Sequence, residues 1–355
     1  MRQPGQSGSP AMPGSLREYA AAGVDLEAAD AAKARIAELV SGSRTSLSVG
    51  QVGAFGGMVR VPHGMRKPTL VLSTDGVGTK VLVALEAGRF DTIGQDLVNH
   101  SVNDILVHGA MPIAFMDYIA GSAIGVEQIA GIVEGIARAC RAHNMALAGG
   151  ETAQMPGLYR PGTYDLAGTI IGVVEEDEAI HGDAIIPGDV LLGYASTGLH
   201  TNGYTLARKI VLERAHLSLD DVLGETGRTV EDALLAVHRS YFASVLPVLN
   251  RVHGLAHITG GGIGGNLVRI LPQGCTAMVD PDSWELPPLF STLQQAGQIS
   301  TQEMRGVFNL GVGFVAVLPP DAIGAAQAAA SADGVTTWVM GEIEPGSRSV
   351  RFARP

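Results

Sequence analysis

Apolar positions recur along the chain with two different periods. From Asp25 to Val40, alanines with Ile36, Leu39 and Val40 fall at helical spacing behind early carboxylates, which predicts an amphipathic helix. Residues 41–57 are rich in Ser and Gly and end in Gly53-Ala54-Phe55-Gly56-Gly57, which predicts a long loop. Thr69–Ser73, Pro112–Ala120 and Tyr164–Val174 are short apolar runs rich in strand formers. Asp91–His108 and Gly125–His143 between them read as helices, the second with Val126, Ile129, Ile132, Val133 and Ile136 on one face. The charged, turn-rich stretch Glu175–Asp189 marks a boundary. Beyond it, Val190–Ala195, Leu255–Thr259, Phe314–Leu318 and Thr336–Ile343 read as strands. Gly203–Glu213, Val230–Val252 and Ala322–Ala332 read as helices. Strands and helices intermix in both halves, so the expected fold is α/β (α+β) in two domains, 19–175 and 176–355, behind a disordered tail over 1–18.

Composition narrows the class. Of 355 residues, 46% are apolar and 17% charged, which excludes wholesale disorder. The net charge of −11 argues against a nucleic-acid partner. No run of 18 apolar residues appears, so no membrane span is expected. Two cysteines, Cys140 and Cys275, are too few for a disulfide framework or a tetrahedral zinc site. With no apolar core of a signal peptide near the start, a cytoplasmic location is expected. The 47 glycines are roughly twice the usual share. They imply either many turns or close approach of backbone to a ligand.

Their placement favours the second. Ser73-Thr74-Asp75-Gly76-Val77-Gly78-Thr79-Lys80 follows a strand, and offers backbone N–H groups and a lysine to phosphate and a carboxylate to a divalent cation. It is not a Walker A loop, and a plain glycine turn capped by Asp75 is the alternative. On the next helix, Asp96, His100 and Asp104 recur every four residues, as do Asn99 and Asn103, which puts Asp96 and Asp104 on one face ~12 Å apart along the axis. That stripe is expected to lie outside the core, either solvated or facing a ligand. Glu151, in Gly149-Gly150-Glu151, is a third acid placed after an apolar run. Ser196-Thr197-Gly198-Leu199-His200-Thr201-Asn202-Gly203 runs from a strand into a helix and suits an anion, with simple N-capping as the alternative. Gly260-Gly261-Gly262-Ile263-Gly264-Gly265 matches a dinucleotide fingerprint formally, but the helix after it is too short for that unit.

These segments, in order, resemble the phosphoribosylformylglycinamidine cyclo-ligase (aminoimidazole ribonucleotide synthetase) family. They are YAAAGVD (Tyr19–Asp25), GAFGG (Gly53–Gly57), STDGVGTK (Ser73–Lys80), DTIGQDLVNHSVNDILVHGA (Asp91–Ala110), LAGGETAQMPG (Leu147–Gly157), STGLHTNGY (Ser196–Tyr204), HITGGGIGGNL (His257–Leu267) and FNLGVG (Phe308–Gly313). The resemblance implies an ATP-binding and dimerisation domain over 19–175, whose sheet joins a second copy's into a β-barrel, and an α/β domain over 176–355. It implies ATP-dependent closure of formylglycinamidine ribonucleotide to the aminoimidazole, with Mg²⁺ held by Asp75, Asp104 and Glu151. ATP is then expected at Gly53, Gly56, Gly57, Asp75, Gly76, Gly78, Thr79, Lys80, Asp96 and Asn103. Lys80 would face the phosphates, and Gly53–Gly57 would fold over them. The substrate is expected at Ser196, His200, Thr201, Asn202, Gly260, Gly261 and Gly262. For His200, substrate holding and proton transfer both remain open.

Overall fold

The protein is described by a computed structural model over residues 35–50 and 55–353. The expected tail over 1–18, the first part of the Asp25–Val40 helix and Gly53 lie outside the described residues; 35–41 are helical. A short ribbon pairs β1 (Ser48–Val49) with β2 (Met58–Val59). In chain order, β3 (Pro68–Gly76), β4 (Met111–Gly121), β5 (Ala146–Gln154) and β6 (Tyr164–Glu175) follow, forming a four-stranded sheet ordered β3-β6-β4-β5. β4 and β5 run parallel, and the other pairs are antiparallel.

Alternation along β3 sends Val71, Ser73 and Asp75 to one face and Leu70, Leu72 and Thr74 to the other. The first face is covered by the helices α1 (Lys80–Ala87), α2 (Asp91–Leu106) and α3 (Val126–Ala142). The second leaves Leu70 49% and Leu72 63% exposed.

The second half builds β7 (Val190–Ala195), β8 (Gly254–His257), β9 (Cys275–Val279), β10 (Val312–Leu318), β11 (Thr337–Pro345) and β12 (Ser349–Phe352). They form a six-stranded sheet ordered β12-β9-β11-β7-β10-β8, in which β12–β9 is parallel and the remaining pairs antiparallel. β10 reads VGFVAVL and is buried at every position, because separate apolar clusters cover its two faces. A third cluster joins the halves: Val81, Ile93 and Leu97 share one core with Leu199, Tyr204, Leu234 and Phe308.

Several elements differ from the sequence reading. The strand ending at Ser73 runs on to Gly76, so Asp75 sits within it. The run at Met145–Ala148 extends to Gln154, so Glu151 is a strand residue. The long helix expected over Val230–Val252 is broken: Val230–Leu234 and Phe242–Val245 are helical, and 235–241 is irregular although Leu235, His238 and Tyr241 are buried. Buried irregular backbone needs partners. The polar stripe of α2 supplies them. Asp96 Oδ1 accepts from His238 N at 2.6 Å, and Asn99 Nδ2 donates to His238 O at 2.7 Å. Asn103 accepts from Tyr241 N at 2.9 Å and donates to Arg239 O at 2.8 Å. Much of the stripe expected outside the core is therefore buried, with Asp96 and Asn103 at 0% exposure, while Asn99 and Asp104 are half-buried.

Candidate active site

The strand β3, the helix α2 and the second half converge on one cluster. Asp75 leaves the inner face of β3 and places Oδ2 2.7 Å from His100 Nε2. Asp104, one turn beyond His100 on α2, places Oδ2 3.6 Å from the same nitrogen. Ser73 Oγ donates to Asp104 Oδ2 at 3.0 Å, two residues before Asp75 on the same face of the strand. The other Asp104 oxygen accepts from His257 Nδ1 at 2.8 Å, at the end of β8. His100 Nδ1 lies 2.7 Å from Thr201 Oγ1, which in turn lies 3.3 Å from His238 Nδ1. His238 stacks on His200 with ring centroids 4.0 Å apart. Four histidines and two carboxylates thus form one network across the junction of the halves.

Its electrostatics follow from that packing. Burial pushes the Asp75 and Asp104 carboxyls up, but hydrogen bonds and charge from His100, and from His257 for Asp104, outweigh it and hold both below the usual carboxylate value. Burial alone would lower His100; Asp75 and Asp104 outweigh it and raise it. Burial drives His200 and His238 well below the ordinary imidazole value, and neighbouring cationic groups add to this. The cluster therefore favours the charged form of His100 beside ionised carboxylates, and the neutral form of the imidazoles deeper in.

His200 occupies a left-handed backbone conformation, φ 64°, on the loop after β7. Thr197 N donates to His200 Nε2 at 3.2 Å, so the ring proton is on Nδ1. That Nδ1 is buried without a protein acceptor, and Asn202 Nδ2 on the same loop is likewise unpartnered. Leaving such a donor unsatisfied costs roughly 1–3 kcal/mol, which a ligand's acceptor would recover. Gly313 lies against His200 and the Tyr241 hydroxyl, and a Cβ there would overlap both. A cavity of about 170 Å³ opens beside the loop, lined among others by Ser196, Thr197, Gly198, Arg228 and Phe290.

Several residues expected at the nucleotide are placed elsewhere. Lys80 and Asp96 form an ion pair of 2.7 Å with both side chains at 0% exposure. Lys80 Nζ also donates to Ala236 O at 2.8 Å and His200 O at 3.3 Å, so the buried ammonium has two carbonyls as well as the carboxylate around it. Burial pushes Lys80 down and Asp96 up, and each partner opposes the shift of the other. Lys80 thus clamps the halves together rather than facing phosphates, and Asn103 is engaged by residues 238–241. Glu151 pairs in register with Tyr118, on the face opposite Asp75, and is exposed. It does not join the cluster of Asp75, His100 and Asp104. Gly76 closes β3, Gly78 has a left-handed φ of 55°, and Thr79 Oγ1 lies 3.0 Å from Thr205 Oγ1. Gly56 and Gly57 are exposed. Ser196 donates to Gly198 O at 3.0 Å. Gly260 lies beside Asn202, and Gly261 caps the helix Gly262–Ile270. Gly262 packs directly on the carbonyl of Arg305, so its missing side chain serves helix packing rather than a ligand. His238 escaped the sequence reading entirely, because it lies in an irregular segment with no periodic or spacing signal.

The comparisons define the class first. The family model "AIR synthase related protein, N-terminal domain" matches residues 53–174, and "AIR synthase related protein, C-terminal domain" matches 187–353. A phosphoribosylformylglycinamidine cyclo-ligase of Methylobacillus flagellatus is 46% identical over 328 residues, covering 92% of this chain and 94% of the relative. The chain belongs to the phosphoribosylformylglycinamidine cyclo-ligase family. The fold is shared with a thiamine-monophosphate kinase from Stenotrophomonas maltophilia (TM-score 0.69, 18% identity, 90% of this chain and 96% of that one). It is also shared with a hydrogenase maturation protein HypE solved with ATP (TM-score 0.58, 17% identity, 88% of each chain).

Proposed function

We propose that the protein catalyses ATP-dependent ring closure of formylglycinamidine ribonucleotide to aminoimidazole ribonucleotide, ADP and phosphate. One observation carries this reading. Asp75 and Asp104 meet at His100, and Thr201 links His100 to the loop on which His200 and Asn202 hold unpartnered donors. A nucleotide side and a substrate side are thereby coupled. The formyl oxygen attacks the γ-phosphoryl group, and the bond to ADP breaks. The ribose-bearing nitrogen then attacks the activated carbon, phosphate leaves with that oxygen, and the nitrogen loses its proton as the imidazole forms.

The residues suit what this chemistry demands, which is charge neutralisation at the phosphoryl group and close positioning of two groups of one substrate. Asp75 and Asp104 offer oxygens within 4.8 Å of each other and of His100, a hard donor set that fits Mg²⁺. Bound there, Mg²⁺ would neutralise charge on the nucleotide's phosphates. His100 holds the two carboxylates together, and its proton keeps that pair balanced. The His200 Nδ1–H and the Asn202 amide orient the substrate from the opposite side, beside the cavity at Ser196 and Thr197. Neutral His200 is also in the form that accepts a proton.

The outer face of the four-stranded sheet supports a homodimer. Leu70, Leu72, Met116 and Tyr118 are exposed at 49%, 63%, 38% and 40%. Exposed apolar side chains gathered on one sheet face suit an interface, and a second copy's sheet closing on it would give the expected barrel. Acidic charge and a small-molecule substrate agree with a cytoplasmic enzyme without a nucleic-acid partner. The test is ADP release with ATP and Mg²⁺, with and without formylglycinamidine ribonucleotide. Release that ignores the substrate would falsify the reading.

A further inference from the structure

A second cavity, of about 720 Å³, opens where α2 ends and β8 begins, beyond the Asp104 and His257 that those two elements carry. Its walls come from both halves and from the stretch between them: Gly109 just past α2, residues 177–184, and residues 246–253 leading into β8. That size suits an organic ligand, and junctions between domains are where such cavities gather. Ile180, Leu249 and Val252 supply apolar walls, and Leu246 beside them is 39% exposed. The fixed charge has one sign. Among the described residues no lysine or arginine lines the cavity, while Asp177, Glu178 and Asp183 do. Asp177 is paired with Arg66 at 2.9 Å, but Glu178 and Asp183 make no hydrogen bond or ion pair among the described residues. The C-terminal end of α2 adds its partial negative charge at Gly109. His253 Nδ1 lies 2.8 Å from the buried Asp189 carboxylate, which can only accept, so the neutral ring keeps Nε2 as an acceptor for a ligand.

We propose that this cavity binds a small organic cation, an ammonium or amidinium group carried on an apolar body. The acceptors select the charge, since an anion would meet carboxylates with no lysine or arginine in the walls to pair with. The apolar walls select the body, since a bare metal ion would leave Ile180, Leu246 and Leu249 uncovered. Position gives such a ligand a consequence. Gly109 lies just beyond Asp104 on one element, and His253 just before His257 on the other, so a ligand there braces the two elements that meet at the Asp104–His257 hydrogen bond. Held by walls from both halves, it binds only when they are docked, and so stabilises the docked form by mass action. The inference does not depend on the ring-closure reading.

The test titrates tryptamine into the full-length protein by calorimetry, with ATP and Mg²⁺ at saturation. Indole-3-propionate, which carries an anion on the same ring system, is titrated alongside. The expected result is one tryptamine per chain, bound at least about 10-fold tighter than indole-3-propionate, and a raised unfolding midpoint. Changing Glu178→Gln together with Asp183→Asn should weaken tryptamine binding about 10-fold, the scale of two surface charge pairs. Both positions are exposed, so this variant keeps the fold. Ala184→Trp, which fills the cavity, should abolish binding. Wild-type protein that binds no tryptamine would overturn the site. So would equal binding of the two probes, binding seen only when ATP is left out, or binding that the double change leaves at full strength.

Discussion

Asp104 accepts a hydrogen bond from His257 at 2.8 Å across 153 residues of sequence, and so ties the last turn of α2 to the end of β8. The same carboxylate lies 3.6 Å from His100, which is paired with Asp75. The candidate site therefore exists only when the two halves are docked.

Asp104→Asn and Asp75→Asn should each lower substrate-dependent ADP release on the order of 10²-fold or more, the scale seen when a preorganised electrostatic group is lost. Both variants should remain folded, as read by circular dichroism. Wild-type turnover in either variant would remove the carboxylates from the mechanism.

Lys80→Met should destabilise the protein by about 3–5 kcal/mol, because it leaves Asp96 as a buried unpaired charge. The double change Lys80→Met with Asp96→Asn, which removes the charge but keeps an oxygen for His238 N, should recover much of that loss. A denaturant titration checks both, and a Lys80→Met variant as stable as wild type would contradict the clamp.

Stability should fall on both sides of neutral pH for different reasons. The raised His100 stabilises the network below its ordinary 6.5, and that contribution is lost as pH rises through its higher folded value. The lowered Asp75 and Asp104 contribute above their ordinary 3.8, and that contribution is lost as pH falls through their lower folded values. His100→Gln should flatten the alkaline decline and shrink the acid one. Urea midpoints measured across pH test this, and an unchanged profile would refute the coupling.

Gly313→Ala should displace His200, since an added Cβ overlaps the ring and the Tyr241 hydroxyl. Overpacking of this kind costs roughly 1–3 kcal/mol. Turnover should drop, while ATP binding measured by calorimetry stays intact. Loss of ATP binding would instead place His200 on the nucleotide side.

The dimer is tested on the sheet face. Leu72→Glu puts a charge at a position 63% exposed in the single chain, so it should yield monomers by light scattering. A dimer that survives the change would place the interface elsewhere.

The sequence already showed much of this, and its failures share one cause. Val190–Ala195 and the helical run from Asp91 were legible because hydrophobic period is a local property. Asp75, Asp104 and His200 stood out because their segments are dense in polar groups, beside a strand for Asp75 and His200 and along a helix for Asp104. Asp96, Asn103 and Lys80 were misplaced because one dimension cannot tell a stripe that meets ligand from one that satisfies another segment's backbone. That segment, 235–241, is apolar enough to read as helix, and only long-range partners make its irregular path affordable. Glu151 depended on strand length: continuing β5 past Ala148 placed it on the other face.

The central claim is tested most directly by ADP release from wild type and Asp104→Asn at saturating ATP and Mg²⁺, each with and without formylglycinamidine ribonucleotide. The account predicts release in wild type only when substrate is present, matched mole for mole by aminoimidazole product, and neither in the variant. Equal release without substrate, or product formed at the wild-type rate by Asp104→Asn, would contradict it.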